Sequence, residues 1–328
     1  MEVGIAFLGS PADVGHLARA AEGAGADAFF VGETEHSALA CAIAAAVATT
    51  EITVGTDISI VFARSPIVCA MEAWSLGAVA PGRCLYGLGS QIRPVVERRF
   101  GADFDRPVRR MAEYAEIMRR SMDSMRGRAV EPFEGELFNI SQLGFHGVPE
   151  PDAPDVPLHL AAVGPQMLRL GARVFDGILG HAVSTVEYLD QVVRPAIGDT
   201  FYTGSVFASV DTDGEAARAA GRRSLAFYGT TPAYEPPFVL GGWGEVPSQL
   251  RKAFREKDYA RMDGLITDEI LDAFVLAGTP DEVASRLDRY SPLVDRLVLG
   301  GIGIGVTREQ IVANNQGLID AIRRYRTL

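Results

Sequence analysis

Short apolar runs alternate with amphipathic or Ala-rich stretches along most of the chain. Val3–Leu8, Ala28–Val31, Ile52–Ile60 and Cys84–Leu88 read as the first four strands. Leu158–Ala161, Gly177–Gly180, Ser205–Val210 and Leu297–Leu299 read as the next four. A helix pattern follows each of them, beginning near Pro11, Ala38, Pro66, Arg106, Pro165, Thr185, Asp213 and Thr307. Eight strands, each followed by a helix, predict an α/β fold: a TIM-like (β/α)8 barrel with parallel strands inside a ring of helices. An open doubly wound sheet would need fewer strands in this length, and no G-x-G-x-x-G follows the first one.

Two segments interrupt the alternation, after strands 4 and 7. Residues 127–156 are rich in Pro, Gly and aromatics (Phe133, Phe138, Phe145). Residues 229–266 carry Tyr234, Pro236, Pro237, Gly241, Gly242 and Trp243, then a charged helix around Arg251–Tyr259. Both are expected on the C-terminal side of the barrel, where loops build the pocket. With these insertions, residues 1–328 read as a single barrel domain.

Bulk properties narrow the function classes. The net charge of −11 argues against non-specific binding to nucleic acid or to an anionic membrane. Cys41, Cys69 and Cys84 are isolated in apolar runs and read as buried reduced thiols of a cytoplasmic protein. His16, His36, His146, His159 and His181 include no H-x-x-x-H pair, so no dedicated metal site is expected. The start of the chain has no basic segment, so no signal peptide is expected, and the Ala-rich run 38–49 is too short to span a bilayer.

Candidate chemistry gathers at the ends of the strands. Leu85-Tyr86-Gly87-Leu88-Gly89 runs into Ser90-Gln91 with a charged helix after it. Gly87 and Gly89 carry no Cβ, so a ligand can approach the backbone. Ser90 and Gln91 are expected at the N-terminus of the helix, where free N–H groups favour an anionic or carbonyl-bearing ligand. Glu33, Thr34, Glu35 and His36 follow the second strand. A carboxylate and an imidazole there could orient a ring carbonyl or shuttle a proton; the alternative is a solvated loop with Glu35 and His36 pointing outward. Gly55-Thr56-Asp57-Ile58 signals either a bulge beside a ligand or small residues packing a barrel interior.

In Ala161-Ala162-Val163-Gly164-Pro165, Gly164 frees the backbone to contact a phosphate and Pro165 suits the first helical position, although a plain tight turn explains the pair too. His181 and Ser184 follow the sixth strand; a core histidine and a helix cap are their ordinary roles. The glycines of 300–305 read as a flexible turn ahead of a phosphate cradle. No nucleophile elbow, Walker loop or zincin motif is present. Redox chemistry with a bound organic cofactor suits such a barrel, because the cofactor supplies the reactivity.

Several strings carry a family resemblance: Phe62-Ala63-Arg64-Ser65-Pro66, Gly87-Leu88-Gly89-Ser90-Gln91 with Glu97-Arg98-Arg99-Phe100-Gly101, Leu160-Ala161-Ala162-Val163-Gly164-Pro165, and Ala226-Phe227-Tyr228-Gly229 with Thr231-Pro232-Ala233-Tyr234. Gly242-Trp243-Gly244 and Asp272-Ala273-Phe274 with Gly278-Thr279-Pro280 extend it over nearly the whole chain. The chain resembles the bacterial-luciferase-like superfamily, and within it the branch of coenzyme F420-dependent oxidoreductases.

The resemblance implies a flavin or 5-deazaflavin at the C-terminal face, coenzyme F420 first and FMN as the alternative. It implies a non-prolyl cis peptide under the ring, mapped to Asp57–Ile58. It maps ring contacts to Glu33 and Thr34, and phosphate or tail contacts to Val163, Gly164, His181 and Ser184. The turn residues Gly89, Ser90, Gln91, Ala162 and Pro165 complete the candidate cofactor set. Glu33 and His36 are the candidate orienting or proton-donating groups, with Tyr234 and Trp243 as a lid that excludes water from the substrate.

The activity so implied is hydride transfer to or from a small organic substrate whose identity no motif reveals, in a homodimer by family habit. An FMN-dependent monooxygenase is the alternative chemistry. Val95 stands where relatives place Asn or His, Ser37-Ala38-Leu39 replaces their Asp-Pro-Phe, and Ser184 replaces a lysine of some F420 binders. A non-catalytic barrel acting as a partner or binding subunit is therefore a third reading.

Overall fold

Eight apolar runs form parallel strands that close on themselves: β1 (Glu2–Phe7), β2 (Ala28–Val31), β3 (Thr53–Thr56), β4 (Cys84–Gly89), β5 (Leu158–Ala161), β6 (Gly177–Leu179), β7 (Tyr202–Val210) and β8 (Arg296–Gly301). Each pairs with the next, and β8 returns to β1 with Glu2 opposite Arg296 and Ala6 opposite Gly300. The result is the expected TIM-like barrel. The computed structural model describes residues 1–7, 10–144 and 147–328; Leu8 of the first apolar run, Phe145 and His146 lie outside the described residues.

The main outer helices are α1 (Pro11–Gly23), α2 (Ala38–Ala48), α3 (Pro66–Val79), α4 (Pro107–Met125), α5 (Pro165–Val174), α6 (Gly214–Tyr228) and α7 (Arg308–Tyr325). A mixed helical stretch over 186–197 completes the ring. Their starts follow from capping chemistry. Ser10, Ser37, Ser65 and Asp213 accept from backbone N–H groups of the first turn. Thr307 and Gln310 form a reciprocal capping box. In α2 the buried Cys41, Ala42, Ala45 and Ala46 form one small-residue face toward the sheet.

One further strand, Val275–Gly278, pairs with the outer half of β7, Phe207–Val210. The sequence reading missed it. β7 has nine residues, and β6 pairs only with Tyr202 and Thr203. The rest of that edge is left for the extra strand, whose own signal is four residues directly behind a helix.

The two insertions behave differently. Residues 133–140 form a small antiparallel pair, Phe133–Glu134 with Asn139–Ile140. The buried Glu113 of α4 holds it by accepting from the N–H groups of Glu136, Leu137 and Phe138 at 2.9–3.1 Å. This insertion therefore lies along the outside of α4, a correction to its expected place over the barrel mouth. The second insertion is helical: Glu235–Leu240, Val246–Glu256, Tyr259–Leu265 and Asp268–Phe274. The predicted single charged helix is two, broken at Lys257 with φ 57°. Phe238, Leu250, Met262, Ile270 and Phe274 join Val183 and Phe207 of the barrel and Leu225 of α6 in a second apolar core.

At the other end the barrel is sealed by ion pairs. Arg296 donates to Glu2 at 2.5 Å, and Arg326 of the C-terminal turn binds the Gly25 carbonyl at 2.9 Å and the Asp27 carboxylate. The three cysteines are buried, and burial pushes the Cys69 thiol up to about 12 and Cys84 up to about 11. No helix among the described residues is long and apolar enough to cross a membrane.

β3 and β4 meet at two glycines. A Cβ on Gly55 would sit 2.5 Å from the Leu85 carbonyl oxygen, and one on Gly87 would collide with the Thr56 carbonyl. Thr56 Oγ1 both donates to the Gly87 carbonyl (2.8 Å) and accepts from its N–H (2.9 Å). Backbone cannot move aside here without breaking the ladder. Gly87→Ala is expected to cost at least about 2 kcal/mol, read as a lowered urea midpoint; an unchanged midpoint contradicts the packing described.

Candidate active site

The C-terminal ends of β2 to β6 and the start of the second insertion enclose a cavity of about 380 Å³, within the size range of small-molecule sites. It brings together Glu33, Thr34, Asp57, Ile58, Gly89, Ser90, Gln91, Ala162, Val163, Gly164, His181 and Tyr234, all anticipated from sequence. It does not bring in His36, Pro165, Ser184 or Trp243. A larger hollow of about 490 Å³ lies between α3 and the end of α4, near Trp74 and Met125. That hollow is remote from the strand ends where barrels carry chemistry, so the smaller cavity is the candidate site.

Its floor is the break in the third strand. The Asp57–Ile58 peptide is cis, and the chain resumes as Ser59–Ile60, paired with Leu88 and Gly89 of β4. A Cβ on Gly89 would collide with Ile58 Cδ1, so glycine lets the Ile58 side chain lie flat against the strand end. Gln91 follows with φ 58°, and the helix Arg93–Arg99 starts only after Ile92. Ser90 and Gln91 are therefore cavity wall, a correction to their predicted place at a helix N-terminus. Val95 of that helix does not line the cavity.

Glu33 closes the side. Its Oε2 accepts from the Ile60 N–H at 2.7 Å and from Arg64 Nη1 at 2.8 Å, while Oε1 accepts from Arg64 Nη2 at 2.5 Å. Arg64 also reaches Glu72 at 3.3 Å, and the Tyr86 hydroxyl donates to Glu72 at 2.5 Å. Both oxygens of Glu33 are committed to a guanidinium. The anticipated proton donor thus stands as a positioning group for the 57–60 segment. His36 is exposed on the adjoining loop, the solvated alternative weighed from sequence.

Opposite lies His181. Burial lowers its pKa to about 4, and its Nδ1 accepts from the Val183 N–H at 3.0 Å. The ring is neutral, with its proton on Nε2. Tyr234 stacks on it with centroids 4.0 Å apart and planes 17° apart, and Tyr228 lies at 5.8 Å. Trp243, expected beside Tyr234 as a lid, turns instead toward Phe274 at 6.0 Å and does not line the cavity. Ser184 is buried with its Oγ unbonded and away from the cavity.

The last wall is the turn into α5. Gly164 is its N-cap, no side chain caps it, and nothing lies within 4 Å of where a Gly164 Cβ would be. The first-turn N–H groups are open to an anion. Asp57 differs from Glu33, the other carboxyl lining the cavity. Its carboxyl has no hydrogen bond or ion pair among the described residues, and burial pushes its pKa up to about 7. An apolar floor, a hydrogen-bonding rim and an uncapped helix start fit a flat ring with an anionic tail.

Ile60, Met167 and Tyr228 also line the cavity and were not singled out from the sequence. Tyr228 lay within a family-like string; Met167 and Ile60 gave no signal beyond apolarity. The Glu33–Arg64 pair was likewise unforeseen.

Comparison with known proteins gives three kinds of match. The profile of a family described as luciferase-like monooxygenase matches residues 4–296. The 5,10-methylenetetrahydromethanopterin reductase of Archaeoglobus fulgidus is 30% identical over 287 residues, 81% of this chain and 82% of its own. A Mycobacterium tuberculosis protein provisionally named a coenzyme F420-dependent oxidoreductase is 30% identical over 301 residues, 84% of this chain and 87% of its own. Among solved structures, the coenzyme F420-dependent tetrahydromethanopterin reductase of Methanopyrus kandleri shares the fold with a TM-score of 0.78 at 22% identity, covering 97% of this chain and 98% of that one.

Removing Arg64 leaves the Glu33 carboxylate, 8% exposed, without its partner. Arg64→Met is expected to destabilise the protein by about 3 kcal/mol, and the Glu33→Gln/Arg64→Met double variant by clearly less than the sum of the singles. Urea unfolding of the four proteins measures this; additive effects would show that the pair is not coupled.

Proposed function

The chain belongs to the luciferase-like monooxygenase family, and on that footing we propose that it is an oxidoreductase using coenzyme F420 on a small organic substrate. The observation that carries this reading is a single cavity with an Ile58–Gly89 floor, a neutral His181 stacked under Tyr234, and an uncapped helix start at Gly164. The relatives at 30% identity support it by their reductase and oxidoreductase names.

The bound cofactor would supply a ring carbon able to give or take hydride. This chain's residues do the rest. Ile58 and Gly89 give the ring an apolar bed. The N–H groups of the Gly164 turn hold the anionic tail. His181, its Nδ1 occupied by the Val183 N–H, offers Nε2–H as a fixed donor. Tyr234 covers the mouth and keeps water out. Glu33 and Arg64 hold the 57–60 segment in place rather than exchanging protons. In this reading the substrate bond is an activated C=C, C=N or C=O bond, or its reduced form in the reverse direction. The chain acts as a homodimer in the cytoplasm, in keeping with its three buried thiols.

Fluorescence titration of the purified protein with F420 and separately with FMN tests the proposal. Saturable quenching by F420 with little effect of FMN is expected, and Tyr234→Ala should weaken F420 binding by up to about ten-fold, the value of one aromatic stack. Tight FMN binding without F420 binding would overturn the assignment in favour of flavin oxygenation.

A further inference from the structure

The cavity holds two carboxyl groups in opposite settings. Glu33 is fully engaged by Arg64 and the Ile60 N–H. Asp57, at the floor beside Ile58, has among the described residues a hydrogen bond only at its backbone N–H, which donates to the Val31 carbonyl at 2.8 Å. Asp57 is half-buried, and its carboxyl opens toward the cavity it lines.

The groups that face it offer no compensating charge. From β2 comes Glu33, already neutralised by Arg64. From β4 come Ser90 and Gln91, both uncharged. From the end of β6 comes His181, kept neutral by burial, with Tyr228 of α6 and Tyr234 of the insertion beyond it as un-ionised phenols. Among the described residues no cation is placed to pair with Asp57.

We propose that Asp57 is a neutral acid in the occupied site, so that a ring filling this cavity binds together with one proton. This rests on the reading that the cavity takes a redox ring, though not on which ring. In the open cavity, water reaching the carboxyl tolerates its ionisation. A ring laid on the floor displaces that water, and a buried carboxylate without a partner is then strongly disfavoured. The neutral acid has an O–H to donate to a carbonyl or ring nitrogen above it. Burial already pushes Asp57 up to about 7 in the ligand-free protein, and a ring would raise it further. Asp57 thereby selects a ring edge that accepts a hydrogen bond.

The sign follows from linkage. Below pH 7 Asp57 already carries its proton, and binding takes up little. Above pH 7 it must gain one, and the Kd rises by about ten-fold per pH unit until the pH passes the pKa of Asp57 in the complex.

Calorimetric titration of the whole protein with F420, and with FMN in parallel, in two buffers of different ionisation enthalpy at pH 6 and pH 8 measures the uptake. The wild type should take up close to one proton per ring at pH 8 and few at pH 6. Asp57→Asn should take up none beyond the ligand's own titration and bind with similar Kd at both pH values. An unchanged circular dichroism spectrum and urea midpoint show that the variant is folded. Should the variant not fold, the wild-type buffer dependence alone decides. Binding at pH 8 without proton uptake overturns this inference and leaves the cofactor reading intact. Absence of binding by either ring, in either protein, overturns both.

Discussion

The arrangement depends on one clasp. Glu33 at the end of β2 grips the Ile60 N–H and the Arg64 guanidinium together, and Arg64 returns a hydrogen bond to the Ile60 carbonyl at 2.8 Å. The Tyr114 hydroxyl of α4 then meets the carbonyls of Val61 (2.6 Å) and Arg64. Three barrel units and the helix behind them thus converge on residues 57–64. A chain that leaves its strand and rejoins it two residues later loses ladder hydrogen bonds there. Side chains replace them, and the floor keeps its shape without regular secondary structure.

This division of labour explains why two nearby carboxyls differ so sharply. A carboxylate engaged by a guanidinium and a backbone N–H is a structural fastener. A carboxyl given none of these contacts in the same enclosure is chemically responsive instead. The surrounding polar groups reinforce the contrast, because His181 is neutral and its free acceptor is already used.

Much of the barrel was legible because its signal is local. Apolar runs bounded by turn residues marked all eight staves, and prolines at Pro11, Pro66 and Pro165 with Thr185, Asp213 and Thr307 marked most helix starts. The ring of residues at the strand ends followed from topology, since a barrel places successive strand C-termini at one face. Long-range side-chain choices were not legible. Glu33 and Arg64 lie 31 residues apart with nothing in either neighbourhood naming the other. Tyr234 and Trp243 carried the same aromatic signal and both pack against one apolar cluster shared by insertion and barrel; only the stacking on His181 brings Tyr234 to the cavity, while Trp243 faces Phe274. The misplacement of residues 127–156 has a similar cause: the anchor that draws them down α4 is the single buried Glu113, which reads in sequence as one more charge on an amphipathic helix.

The seam between β1 and β8 has a consequence for how the chain is made. Glu2 waits for Arg296, a partner 294 residues later. On the ribosome the first stave is made 294 residues before its neighbour, so over that stretch of synthesis one edge of the nascent sheet has nothing to pair with. N-terminal units can collapse early, but the cylinder closes only once β8 has been made. The exposed edge of β1 is then the surface a chaperone, or a second nascent copy, would meet first.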